Sequence, residues 1–272
     1  MLVTGGASGL GAALVERFAA RGDRVLSCDL TDAVPELSEV GSAWAPSTSD
    51  NSAGQVVRRV LDVRSDDDWA DARSWVEQEW GGLDVLVNNA GVAGGGRIEL
   101  TSMADWQWIL EINLLGVVRG VRTFTPVFKA QDSGWIVNTA SLAGLVHPPG
   151  MGSYNASKAA VVAFSETVSH ELAPYGVGCT AVCPSYFRTN LMSSMRGDDT
   201  DLAASMSTLV TDSPISAGEI ADAVLEGVER GDSLVLPDQP ARDAHAWKLA
   251  DRAGYDQFMA GTAARMRERT GG

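Results

Sequence analysis

The sequence predicts an α/β protein built around a doubly wound parallel sheet of about seven strands. Two observations carry this reading. Short apolar, β-rich runs alternate with amphipathic stretches of helical length almost from the first residue. Continuous apolar strands separated by helices mark a parallel sheet covered on both faces. Right-handed crossovers then complete the winding and place ligands at the carboxyl ends of the strands. With 272 residues, 45% of them hydrophobic and 21% charged, the chain is long enough to bury one large core of this kind.

In chain order, strands are expected at residues 2–4, 24–28, 56–61, 83–87, 135–139, 178–183 and 233–236. Amphipathic helices are expected between them at 10–20, 66–80, 104–129, 154–172 and 217–229. The first run opens at the initiator Met, so either this strand is truncated or the reading frame begins upstream. Residues 35–53 are rich in Ser, Pro, Asp and Asn and read as a long surface loop with room for one helical turn. Residues 185–214 hold Met192, Met195 and Met206 among small and polar residues and read as a mobile substrate flap over the strand ends. This gives one domain over 1–237 and a partly helical tail over 238–272. Trp247, Tyr255 and Phe258 are available to dock the tail on the same domain or on a neighbouring subunit.

Composition narrows the partners. A formal charge of −14 argues against nucleic acid and anionic membranes, both of which want a basic face. It does not exclude a phosphate-bearing cofactor, because local backbone dipoles bind phosphate whatever the global charge. There is no signal peptide and no apolar run of membrane-spanning length, so a cytoplasmic location is expected. Cys28, Cys179 and Cys183 show no paired spacing and read as small buried residues, and the three histidines lack a metal-ligand rhythm.

Three motifs carry chemistry. TGGASGLG, from Thr4 to Gly11, joins the first strand to the first helix. Its glycines, including Gly5, Gly6, Gly9 and Gly11, allow a sharp turn that aims amides at a pyrophosphate. Asp29 follows at the end of the second strand, eighteen residues past Gly11. A carboxylate there accepts bonds from ribose hydroxyls and repels a ribose phosphate, and neither Leu30 nor Thr31 offers a cation. A plain turn or capping role is the alternative for Asp29; the cofactor expected is NAD rather than NADP. Finally, SYNASK contains Tyr154 and Lys158, one of only three lysines in the chain. Four residues apart on a helix, the phenol and the ammonium share one face. A nearby positive charge lowers a phenol's pKa from its ordinary ~10.

Taken together these residues resemble the classical short-chain dehydrogenases/reductases, from Leu2 to about Pro237. The matches are ordered: the glycine loop, Asp62-Val63, NNAG at Asn88–Gly91, Asn113, Ser141, and YNASK, with Ser141 thirteen residues before Tyr154. The resemblance implies a Rossmann-type fold and a catalytic set of Asn113, Ser141, Tyr154 and Lys158. Tyr154 would exchange a proton with the substrate oxygen. Lys158 would depress the phenol's pKa and bond the nicotinamide ribose. Ser141 would orient the substrate oxygen, and Asn113 would hold a relay water. The alternatives are a turn hydroxyl for Ser141 and a backbone-satisfied helix amide for Asn113. Gly5, Ser8, Gly9, Leu10 and Gly11 would line the pyrophosphate, Asp29 the ribose, and Asp62 and Val63 the adenine. Asn89, Ala90 and Gly91 would border the cleft, and Pro184 and Thr189 the nicotinamide.

Two departures from the family pattern stand out. PSYFRT at Pro184–Thr189 places Ser185 where glycine is common. LVLPDQPARD at Leu234–Asp243 lacks the glycine-ending close of many acyl-carrier reductases. Around the substrate we expect Gly94, Gly95, His147, Pro148, Met151, Tyr186, Phe187, Met192 and Met195, a mostly apolar set. His147 is either a substrate donor or a loop histidine, and Arg188 either an anion contact or a solvated charge. A neutral, fairly hydrophobic secondary alcohol or its ketone fits this set best. A 3-oxoacyl reductase and a non-catalytic dinucleotide sensor are the rivals. The stretch Trp106–Phe124 is apolar on more than one face, which suggests a subunit contact, and the resemblance points to a homotetramer. Burial by the chain's own tail is the alternative.

Overall fold

The protein is described here by a computed structural model covering residues 1–31 and 54–270. The expected loop at 35–53 lies outside those residues. The order of elements begins β1 (Leu2–Thr4), α1 (Gly9–Ala20), β2 (Val25–Asp29), β3 (Val56–Val60), α2 (Asp66–Trp80) and β4 (Val85–Asn88). It continues with α3 (Met103–Leu110), α4 (Gly116–Gln131), β5 (Gly134–Thr139), α5 (Ala143–Val146), α6 (Gly152–Leu172) and β6 (Val177–Val182). The chain then forms α7 (Thr200–Thr211), α8 (Ala217–Arg230), β7 (Leu234–Val235), α9 (Gln239–Ala250) and α10 (Arg252–Thr270).

The seven strands form one parallel sheet in the order β3-β2-β1-β4-β5-β6-β7. Successive side chains point to opposite faces of a strand, so a register fixes which residues meet. Leu26, Leu2, Leu86, Ile136 and Cys179 align across five strands and face the core beneath α2, α4 and α6. Val3, Val87 and Val137 form the neighbouring row and face the second core, against α1 and α8. Each of these side chains is at most 2% exposed. Full burial of one such side chain stabilises by roughly 1.5–3 kcal/mol. Apolar residues on both faces of every central strand are therefore the reason that helices cover both sides.

Local signals set the helix ends. Ser65 accepts from the Asp68 amide at the start of α2, and three aspartates favour the first turn through the helix dipole. Ser216 and Glu219 form a reciprocal capping box on α8, which ends at left-handed Gly231. The helix expected at 104–129 runs from Met103 to Gln131 and is interrupted by a π turn at Glu111–Leu115, between α3 and α4. The Asn113 side chain in that turn bonds the Val92 backbone, accepting from its N–H at 2.8 Å and donating to its carbonyl at 3.0 Å. Periodicity alone carries no sign of such a turn.

The strand order reverses between β1 and β4, and the cleft opens at the carboxyl ends of the strands around that point. A short 3-10 turn at Asn190–Ser194 and α7 lie over its substrate side. This segment carries core residues of its own: Met206 and Val210 are buried, and Met206 packs with Ile109, Met151 and Tyr154. Asp199 latches it to the loop after β4. Its carboxylate accepts from the Arg97 side chain at 2.9 Å, the Arg97 amide at 3.0 Å and, as the cap of α7, the Leu202 amide at 3.3 Å.

Candidate active site

The turn after β1 is shaped by glycine. Gly5 and Gly9 adopt φ of 66° and 52°, a region costly for other residues. A Cβ on Gly5 would lie 2.9 Å from the Ala90 Cα, so this backbone is pressed against the 89–91 segment. Ser8 caps α1 without a side-chain bond, and no acidic residue occupies the first turn. The helix thus leaves its amino-terminal dipole to an anionic ligand. Asp29 stands beside it, accepting from the Ala7 amide at 2.9 Å and from the Leu30 amide at 2.7 Å. The loop itself orients the carboxylate. These features fit the pyrophosphate and adenosine ribose of a dinucleotide.

A chain of hydrogen bonds runs from this loop to Lys158. Thr4 Oγ1 accepts from the Asn89 amide at 3.0 Å and the Ala90 amide at 3.1 Å, while Asn89 Nδ2 donates to the Thr4 carbonyl at 3.0 Å. Thr139 Oγ1 donates to Asn89 Oδ1 at 3.3 Å, and Lys158 Nζ donates to the Thr139 carbonyl at 2.8 Å. Lys158 also lies 5.8 Å from the centroid of the Tyr154 ring. Ser141 Oγ accepts from the Ala143 amide at 3.1 Å and shares the cleft wall with Tyr154. Gly144 holds the serine-bearing segment against α6: a Cβ there would lie 2.6 Å from the Lys158 carbonyl carbon.

Burial dominates the electrostatics. It pushes the Tyr154 phenol up to about 12, with the nearby Ser141 hydroxyl opposing the rise and Tyr186 and Cys183 adding to it. Burial likewise pulls the Lys158 ammonium down to about 8. The depression of the phenol expected from a four-residue spacing is therefore outweighed by loss of water. In this environment the Tyr154 phenol keeps its proton at neutral pH.

The cleft has a volume of about 720 Å³. Gly5, Ser8, Leu10, Asp29, Asp62, Val63, Asn89, Ala90, Gly91, Pro184 and Thr189 line it together with Ser141, Tyr154 and Lys158. Met151, Tyr186 and Phe187 also line it, with Gly94, Pro148 and Met192. Other expected residues lie elsewhere. Gly9 and Gly11 are not on the cleft wall: Gly9 abuts Thr189, and Gly11 lets α1 pack on the Gly5 carbonyl. Asn113 is buried behind the wall, its side chain engaged with Val92 and Ser157. His147 is not on the wall either. Its left-handed backbone turns the ring toward the Gly144 carbonyl at 3.0 Å and toward Lys248 of α9, whose Nζ is 2.8 Å from Nδ1. Burial and the Lys248 charge hold its pKa below the ordinary value. Arg188 is spent on the Ser213 and Pro214 carbonyls, at 2.8 and 3.0 Å. The Ser185 amide is tied to Asp238, which also caps α9.

Sequence reasoning missed Trp108, Arg196 and Met259 on the wall. Arg196 stacks over Trp108 at 4.2 Å. Trp108 was legible only as part of an apolar helix, and nothing local marks Met259, which reaches the cleft from the tail.

With this geometry in hand, the chain belongs to the short chain dehydrogenases, whose family description matches residues 1–200. It is 35% identical over 228 residues to the 2-(R)-hydroxypropyl-CoM dehydrogenase of Xanthobacter autotrophicus, covering 82% of this chain and 88% of that one. A short-chain dehydrogenase/reductase from Burkholderia phymatum, solved with NAD, superposes with a TM-score of 0.80 at 28% identity, covering 92% of each chain. A short chain dehydrogenase from Burkholderia cenocepacia, solved with NADP, superposes at 0.76 with 28% identity, covering 95% of each chain. The protein is an oxidoreductase of this family, and no helix among the described residues is long and apolar enough to cross a membrane.

Proposed function

We propose that the protein interconverts a neutral, fairly hydrophobic secondary alcohol and its ketone with NAD(H), Tyr154 acting as general acid and base. The observation that carries this is the convergence of Ser141, Tyr154 and Lys158 on the wall that also holds Asp29 and the glycine turn. The bound nicotinamide supplies or accepts the hydride. Ser141 fixes the substrate oxygen by a hydrogen bond and stabilises charge developing there. Tyr154 donates its proton to that oxygen in reduction and takes it back in oxidation. Lys158, anchored on the Thr139 carbonyl, holds a positive charge near the phenol and binds the nicotinamide ribose. Asn113 acts as a positioning residue, because its side chain is committed to Val92.

Asp29 favours NAD over NADP, since a carboxylate at the end of β2 beside the glycine turn would accept from ribose hydroxyls and repel a ribose phosphate. The substrate end is lined by Met151, Tyr186, Met192 and Met206 and favours an apolar group on the reacting carbon. Tyr154→Phe is the test, followed by reduced-cofactor absorbance over a panel of alcohols and ketones. Loss of turnover by a factor of at least ~100, with cofactor binding intact, is the expected result. Unchanged turnover would remove the phenol from the mechanism. A homotetramer is the expected assembly, checked by light scattering of the eluted protein.

A further inference from the structure

Helix α10 carries Tyr255, Met259, Thr262 and Met266 at spacings of four, three and four, a single stripe along one face. Tyr255 is 3% exposed and its hydroxyl donates to the Val146 carbonyl at 2.7 Å. Met266 reaches Gly150, where an added Cβ would lie 2.6 Å from the methionine methyl. The stripe therefore crosses the 146–151 segment, which links the serine side of the site to the tyrosine helix. Helix α9 fixes it there. Lys248 donates to the Leu145 carbonyl, and Trp247 packs edge-on against Tyr255 and Phe258, each at 5.2 Å between centroids. Between the two anchors, half-buried Met259 lines the cleft, whose wall also includes Val146, Met151, Met206 and Val210.

We propose that α10 is the distal wall of the substrate end and that Met259 sets the length of apolar group that can sit behind the reacting carbon. This rests on the assignment of that end of the cleft to substrate. Methionine is a flexible stop that repacks around different shapes, while a smaller or larger residue shifts the limit.

The test uses the full-length protein, Met259→Ala and Met259→Trp, and the unbranched methyl ketones butanone, hexanone, octanone and decanone. Two readouts are taken: kcat/KM with NADH, and ketone binding to the NADH complex by tryptophan fluorescence. About two methylenes of extra room, at ~0.8 kcal/mol each, correspond to roughly a tenfold change. Met259→Ala is expected to raise the octanone-to-butanone ratio about tenfold and Met259→Trp to lower it by a similar factor, with NADH affinity unchanged in both. The same ratio in all three proteins, with NADH bound normally, would overturn the proposal. If the wild type binds ketones and turns none over, the oxidoreductase reading of the substrate end falls. The binding ratios still decide the wall, a shift supporting it and no shift overturning it.

Discussion

The proposed preference for NAD rests on one carboxylate, and Asp29→Asn tests it. The native side chain accepts from the Ala7 and Leu30 amides, so it is held in place rather than free to swing away. A ribose phosphate bound next to it would carry between one and two negative charges about 5 Å away. At an effective dielectric of about 20, each unit pair at that distance costs roughly 3 kcal/mol. Exposure and salt reduce this to about 2 kcal/mol in total, or about thirtyfold in affinity. Asparagine removes the charge and keeps one acceptor. It should therefore tighten NADPH binding about thirtyfold and weaken NADH binding severalfold through the lost ribose bond. Both constants are measurable by energy transfer from tryptophan to the reduced nicotinamide. A wild type that already binds NADPH more tightly than NADH, or a variant whose preference does not move, refutes the reasoning.

Three further outcomes follow from the geometry. Gly11→Ala would place a Cβ 2.0 Å from the Gly5 carbonyl oxygen and 2.6 Å from Asn89 Nδ2. The strain, about 1–3 kcal/mol or more, should lower the melting temperature by several degrees and weaken NADH binding at least tenfold, read by calorimetry and fluorescence. In the reductive direction Tyr154 remains protonated up to about 12, so the alkaline limb belongs to Lys158, whose charge is lost above about 8. The logarithm of kcat/KM should be flat below about 8 and fall with unit slope above it; a profile flat until the pH nears about 12 would contradict this. Asp199→Ala should raise KM severalfold and expose the Arg196 peptide bond to trypsin. Burial would raise the Asp199 carboxyl, but the Arg97 side chain and the Arg97 and Leu202 amides together hold it below its ordinary value. The latch is thus complete at neutral pH and lost only as acid passes that lowered pKa; equal trypsin sensitivity of variant and wild type would count against it.

Strand and helix order was legible because buried parallel strands read as continuous apolar runs, and every central strand carries one on both faces. The nucleotide end was legible for a related reason. A glycine turn, a carboxylate after β2 and the NNAG stretch are each local in sequence and tied to backbone geometry. What escaped was set by distance along the chain. Met259 reaches the cleft only through the docking of α10, and His147 leaves it because Lys248, a hundred and one residues later, draws it outward. The π turn at Asn113 was hidden because the bond that stabilises it goes to Val92, outside the helix. The phenol's pKa was misjudged from spacing alone, since burial is a property of the assembled wall and not of one helix face.

Gly144 has a mechanical consequence. Because nothing but hydrogen separates its Cα from the peptide of Lys158, the segment bearing the Ser141 hydroxyl and the helix bearing the ammonium are meshed like two gears. Neither can drift without carrying the other along. The spacing of phenol, hydroxyl and ammonium is thereby held by backbone packing rather than by the side chains alone.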